Sequence, residues 1–390
     1  MDKNQLVGQL LRKERLALSL TQEYVTRKVG FENRQTLISI ENGKRPIRAV
    51  ELATLAQVYG RSLDFFLKEE HGEEAPKVLW REPSKTKQTL LAERKFTQLC
   101  QNYRRLLELT QEDHTANANF SLICSPNKQQ FAQKSFDYVI TLAEETRKRL
   151  DLGRRPAHSL ADVLETTLGI LVLCLDLSAA GSAASVSGEG CNAIVINCRD
   201  APWRRNYDLA HELFHLLTWD MFSEDEIYAP PPKNSRKNTI EQWAEAFASS
   251  LLLPAEEVRA EFNRRVVNRK IDYLSLVEIA REFRVSTEAL LWRLSNLHLM
   301  KRGDVESCLA EGEIKNVDKQ MRITDWGDQQ PNLSSRYIAL AIKAYYMGKV
   351  SRAKLAEYVG TPLSAIPRFL REHGFGDERN YSIAFTAAYS

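Results

Sequence analysis

No stretch of the 390-residue sequence approaches the roughly 18 consecutive apolar residues that a membrane span requires. The first residues, MDKNQLVGQLLRKERLALSL, are charged throughout and lack the apolar core of a secretion signal. The chain is therefore expected to stay in the cytoplasm and to engage no membrane. Cysteine is sparse: Cys100, Cys124, Cys174, Cys191, Cys198 and Cys308 are scattered, with no CxxC pair. This argues against a disulfide framework and against a thiolate zinc site, and favours ordinary reduced thiols. No repeat of fixed period and no low-complexity tract is present.

Neither sign of charge dominates, the total being +3, but the distribution is uneven. Residues 1–68 hold twelve Lys and Arg against seven Asp and Glu, a local +5 that leaves −2 on the rest. A basic excess confined to one small segment points to an anionic partner. The length calls for two or three domains rather than one core.

Within the basic segment, LSLTQEYVTRKVG reads as a short helix bounded by Thr21 as N-cap and Gly30 just past its end. NRQTLISIENG reads as a second, with Asn33 as N-cap and Gly43 beyond it. Leu37 and Ile40, three apart, can face a core, which leaves Arg34, Gln35, Thr36, Ile38 and Ser39 outward. Such a helix suits a DNA major groove, where Arg pairs with guanine and Gln with adenine. Lys44, Arg45 and Arg48 follow it and suit phosphate contacts. The candidate contacts to double-stranded operator DNA are Gln22, Arg34, Gln35, Thr36, Ser39, Lys44 and Arg45.

This segment resembles the Cro/repressor-like helix-turn-helix family of the XRE type. The likeness lies in LTQEYV, RQTLISIENGKR and VELATLAQVYGRSLDFFL, over about residues 4–67. One extra residue between Gly30 and Arg34 lengthens the turn. The resemblance implies an all-α, operator-binding head; a five-helix module used only for protein contacts is the competing reading.

From Glu69 to about Lys87 the sequence turns polar and carries Pro76 and Pro83, as a linker does. Residues 88–112 and 131–151 show helical periodicity and read as a spacer, with a dimerisation element, and hence a homodimer, as the alternative. QEDHTANANFSLICSPNKQQ between them reads as a loop. SLADVLETTLGILVLCLDL then reads as a helix followed by a buried strand, and NAIVIN as a second strand after a small-residue stretch. Helices dominate the remainder.

The most informative run is His211-Glu212-Leu213-Phe214-His215. At 3.6 residues per turn the two histidines lie one above the other on a helix, within reach of one Zn²⁺. Glu212 stands beside them, placed to take a proton from an attacking water. Catalytic zinc needs a third protein ligand. The metzincin route is closed, because Thr218 and Met221 stand where Gly and His would be required. Downstream, TIEQWAEAFASSLLLP reads as a helix on which Glu241 and Glu245 share a face, and either supplies the missing carboxylate. Tyr207, one turn before His211, is a weaker candidate for the same site, with packing as its plain reading. The Pro-rich DEIYAPPPKNSRKN between the two helices is either a groove rim or a surface loop.

Here the sequence resembles the ImmA/IrrE family of metallopeptidases, from near Lys134 to about Leu299. The resemblance rests on SLADVLETTLGI, AIVIN, RRNYDLAHELFHLL, EQWAEAFASSLLLP and EFRVSTEALLWRL. It implies an α+β zincin-like (gluzincin) domain with a small sheet, zinc held by His211, His215 and Glu241, and peptidase activity against a partner repressor, with Glu212 catalytic. Two departures stand out. Phe214 replaces a usual Gly, and Trp243 and Glu245 stand where an acidic residue and Asn are common. A phenylalanine at 214 is expected to tighten access to the metal.

Residues 301–390 resemble the helical extension of longer members, with a helix-turn-helix cadence in VSRAKLAEYVGTPLSAIPRFLREHG, where Ser351 reads as an N-cap and Gly360 as the end of a helix. Packing or oligomerisation is favoured there over a second DNA reader. The expectation is a mainly α multi-domain chain: an all-α helix-turn-helix head (1–68), a linker and helical connector (69–132), an α+β peptidase domain (133–300) and an all-α C-terminal region (301–390). Functionally it reads as a transcriptional regulator with Zn²⁺-dependent endopeptidase activity. The alternative is a DNA-binding regulator or antitoxin whose metallopeptidase-like domain only senses a ligand or partner.

Overall fold

The computed structural model describes residues 3–67, 78–80, 86–112, 126–177, 180–188, 191–231, 238–322 and 333–375. Most of the 69–87 linker, all of residues 113–125 with Cys124, and residues 232–237 of the Pro-rich stretch lie outside them.

The head comprises α1 (Lys3–Ala17), α2 (Gln22–Val29), α3 (Arg34–Glu41), α4 (Ala49–Tyr59) and α5 (Leu63–Leu67). Its local punctuation follows the side chains. Thr21 accepts the Tyr24 amide to start α2, and Gly30, at φ 82°, ends it in the left-handed region that glycine favours. Asn33 accepts the Thr36 amide at 3.0 Å and opens α3, which fixes the register after the lengthened turn. Leu11, Val25, Leu37, Ile40, Leu55 and Tyr59 form the head's core. A Cβ at Gly8 would run into the Ile40 and Glu41 carbonyl oxygens, so only glycine permits α1 to cross α3 this closely.

The head docks on α6 (Lys87–Thr110), where Leu90 and Leu91 pack against its core. Arg94 carries the contact: its buried guanidinium meets Glu14 at 2.7 Å and donates to the Tyr59 carbonyl at 2.5 Å. Glu14 also receives Arg61 at 2.8 Å.

A four-stranded mixed sheet organises the body, in the order β1 (Val78–Trp80), β3 (Ala183–Gly188), β4 (Cys191–Asn197), β2 (Leu171–Leu175). β2 runs parallel to β4, while β3 is antiparallel to both β4 and β1. The expected strands are β2 and β4. The other two depart from expectation. β1 arises inside the predicted linker, and β3 inside the small-residue stretch, because pairing on both edges gives AASVSG a strand conformation that its own side chains do not signal.

Alternation divides the sheet's side chains between two cores. Leu171, Leu173, Leu175, Ala193 and Val195 face α6, α17 (Ser335–Tyr346), α18 (Arg352–Val359) and α19 (Ile366–Glu372). Val172, Ala183, Ile194 and Ile196 face α9 (Pro202–Leu217) and the helices around it. Those include α7 (Lys128–Arg149), α8 (Leu160–Thr166), α11 (Thr239–Leu252), α12 (Ala255–Arg265), α13 (Tyr273–Glu282) and α14 (Thr287–Asn296), with the short α10 (Glu224–Ile227) ahead of α11.

Two expected divisions therefore need correction. The helices read as a connector are structural: α6 covers one sheet face, and α7 buries Phe131, Val139, Leu142 and Ala143 against the other core, so the 132/133 boundary falls inside a helix. Nor does packing break at residue 300. Val305 of α15 (Arg302–Glu311) and Ile314 of α16 (Glu313–Met321) belong to the core around α9, while α17 to α19 complete the opposite face. Ser351 and Gly360 do bound α18 as expected, but α18 and α19 are packing elements, and Lys354 on α18 reaches Asp64 of the head at 3.3 Å. None of the five described cysteines is joined in a disulfide.

Candidate metal centre and nucleic-acid interface

α9 begins at Pro202, whose ring suits the first helical position, with Ala201 at the N-cap. Its last two turns are buried on every side, and His211, Glu212 and His215 share that burial. α11 lies across it. The Asn238 side chain caps α11 by accepting the Glu241 amide at 2.8 Å, and its amide nitrogen donates back to the Ile227 carbonyl. Glu241 is thereby fixed in the first turn and aimed at the histidines. Tyr207 Oη donates to the Glu245 carbonyl at 3.0 Å and ties the two helices together one turn earlier.

The resulting geometry is a small triangle. His211 Nε2 and His215 Nε2 are 3.2 Å apart, and the Glu241 carboxylate oxygens lie 3.2 Å from the first and 3.3 Å from the second. Donors held at about 2.0–2.1 Å from a tetrahedral Zn²⁺ would be about 3.3–3.4 Å from one another, so these three fit the ion without rearrangement. Burial alone would push the Glu241 carboxyl up, but the imidazoles at hydrogen-bonding distance hold it well below the ordinary carboxylate range. Two ring nitrogens and an ionised carboxylate converging on one point repel each other unless a cation or proton lies among them. With 18% of its side chain exposed, Glu241 is the most open of the three and marks the side from which the centre is reached.

Of the two carboxylates left open by the sequence, Glu241 joins the cluster, whereas Glu245 is not part of it. Phe214 packs edge-on against His215, with ring centroids 5.8 Å apart. It is fully buried between Phe131 and Phe247, with ring centroids 6.0 and 5.6 Å away, and Trp243 stacks on the other side of Phe131. Both departures thus fill an aromatic core joining α7, α9 and α11. Sequence reasoning overlooked Asn238, although an Asn just before a helical run is a readable cap. It also overlooked Arg293, whose buried guanidinium donates to the Leu253 carbonyl at 3.0 Å and to Ser250 Oγ at 3.1 Å, bracing the far end of α11. Burial draws that guanidinium down to about 10.

On the head, Leu37 and Ile40 of α3 point inward, Arg34 and Gln35 are exposed, and Thr36, Ile38 and Ser39 are half-buried. Gln22 links two layers, donating to Glu41 at 3.0 Å and accepting from Arg34 Nε at 2.9 Å. Lys44 and Arg48 are exposed beyond the helix. Arg45 differs from the expected phosphate contact: both its terminal nitrogens grip Glu51, at 2.8 and 3.0 Å, where they secure the start of α4.

Comparison with known families finds two matches along the chain. Residues 11–66 match the helix-turn-helix family, and residues 165–295 match the peptidase family described as the IrrE N-terminal-like domain. The chain is a fusion of these two domains. All three members of the metal-ligand cluster lie within the IrrE-type match, while α6, α7 and α15 to α19, which complete both cores, lie outside it. No curated protein matches the sequence. Among the described residues no helix is long and apolar enough to cross a membrane.

Proposed function

We propose that the chain is a transcriptional regulator that binds operator DNA through its head and, as a zinc-dependent endopeptidase, cleaves or controls a partner repressor in the cytoplasm. The observation that carries the hydrolytic half is the His211–His215–Glu241 triangle, with edges of 3.2–3.3 Å, beside a buried Glu212. Zn²⁺ supplies Lewis acidity toward a water and a peptide carbonyl. The protein's own residues do the rest. His211 and His215 present their Nε2 atoms from one helix face, and Glu241 neutralises part of the ion's charge. Glu212 takes the proton of the attacking water and passes it to the departing amine. A pure sensor needs no base at that position, which favours the enzyme over the sensing reading.

For the head, Arg34, Gln35, Thr36 and Ser39 read base edges, with Gln22 holding Arg34 in place. Lys44 meets the phosphate backbone, and Arg45, clamped to Glu51, sets the path of the loop that carries it.

Exchanging Glu212 for Gln tests the reading. The substitution keeps size and hydrogen bonding but removes the basic carboxylate, so folding and zinc content should survive. Hydrolysis should fall by about 10²–10⁴-fold. Wild type and Glu212→Gln would be expressed beside each candidate repressor, and shortened products sought. A cellular response that persists in full with Glu212→Gln would show that proteolysis is not its mechanism.

A further inference from the structure

A cavity of about 870 Å³ lies between α8, β4, α9, α13 and the end of α16. At 100° per residue, four of the five α9 positions that line it, Pro202, Arg205, Asn206 and Leu209, lie on the face opposite His211 and His215, and Trp203 lies to one side. It is therefore separate from the metal centre, and hydrolysis makes no use of it.

Its walls are unusually basic: Arg205, Arg281, Arg284 and Arg322 outnumber Glu278 and Glu282. Glu282 is already met by Arg265 and by Arg155 at 3.5 Å, neither of which lines the cavity. Arg322 is held by Asp318 and by the Val285 carbonyl, both at 2.7 Å, and its guanidinium lies 4.2 Å from the Trp203 ring centroid. Arg205 is differently placed. One terminal nitrogen reaches only the Cys174 sulfur, at 3.4 Å, a weak acceptor, and its buried Nε has no hydrogen-bond partner among the described residues. Arg205 is thus weakly paired within the described residues while its side chain lines the cavity. Trp203, Leu209 and Ile196 supply an apolar wall beside these cations.

We propose that this cavity binds a phosphate-bearing small molecule with an aromatic or apolar body, the chemistry of a mononucleotide. Arginine forks suit phosphate oxygens, and the body packs on Trp203, Leu209 and Ile196. The volume falls within the roughly 300–1,000 Å³ of small-molecule sites. Because α9 contributes to both sites, the ligand stiffens the helix that presents the metal donors. The proposal stands whether or not the metal centre hydrolyses peptides.

The test is calorimetric titration of the full chain with ADP, with inorganic phosphate and citrate as comparison anions. ADP should bind, phosphate more weakly, and citrate more weakly than ADP. Arg205→Gln and Arg281→Gln should each weaken ADP binding by about tenfold or more. Ala161→Trp adds bulk at an exposed lining position and should block ADP with every charge intact. Should Arg205→Gln misfold, Ala161→Trp and the exposed Arg284→Gln carry the test. Absence of ADP binding, phosphate or citrate binding as tight as ADP, or binding insensitive to the folded variants would overturn the proposal.

Discussion

Glu41 in the head and Glu241 in the body are both carboxylates enclosed among helices, and each faces two partners. Glu41 receives Arg15 through two nitrogens, at 2.6 and 3.0 Å, and Gln22 at 3.0 Å. That pairing is complete, because a guanidinium is always charged and its fork matches a carboxylate. Glu241 faces two imidazoles at 3.2 and 3.3 Å, and they lie as close to each other as to it. Its partners are ring nitrogens that carry no fixed charge, so the arrangement is completed by a proton or a cation among the three. One glutamate belongs to the fold and the other to the candidate metal centre.

The largest consequence of that contrast is in stability. Glu41→Ala leaves Arg15 buried without its counter-charge and should destabilise the head by about 3–5 kcal/mol in denaturant unfolding. Glu241→Ala, measured without metal, removes hydrogen bonds to two imidazoles that can be neutral and leaves no fixed charge buried, so it should cost about 1–2 kcal/mol. Equal losses in the two variants would erase the distinction.

Metal removal sharpens the comparison from the other side. Zinc at a hundredfold above its Kd should stabilise the body by about 2.7 kcal/mol, and a chelator should abolish this. Hydrogen exchange should then rise in α9 and α11 and stay constant in α1 to α4. Exchange rising equally in both regions would tie the metal to the whole chain rather than to the body.

Smaller effects are expected on the DNA face. Arg34→Ala should weaken operator binding by about 1–3 kcal/mol and relax the base preference at one position. Lys44→Ala should weaken all sequences alike and reduce the salt slope by about one. Arg45→Ala should act chiefly through the start of α4, and so lower thermal stability more than it alters the salt slope.

How far these features were legible beforehand depends on whether they are written locally. Thr21, Gly30 and Asn33 declare the ends of α2 and α3 through side-chain caps and a left-handed glycine, and the head could be read almost helix by helix. The four-residue spacing of His211 and His215 is equally local. Glu241 was less certain, because its choice over Glu245 depends on the cap at Asn238 and on how α11 crosses α9. β3 could not be read at all, since Ala, Ser and Gly carry no strand signal and its conformation comes from neighbours on both sides. The same holds for α6 and α7. Their amphipathic periodicity suits a spacer as well as a core element, and only the sheet and α11 beneath them decide the matter.

Zinc content per folded chain, measured on the purified wild type, Glu241→Ala and Glu245→Ala, tests the central claim most directly. A single Zn²⁺ per chain in wild type, retained in Glu245→Ala and lost in Glu241→Ala, is the predicted result. Full occupancy in Glu241→Ala with loss in Glu245→Ala would contradict the ligand set built on the His211–His215–Glu241 triangle. Occupancy unchanged in both variants would remove α11 from the metal centre altogether.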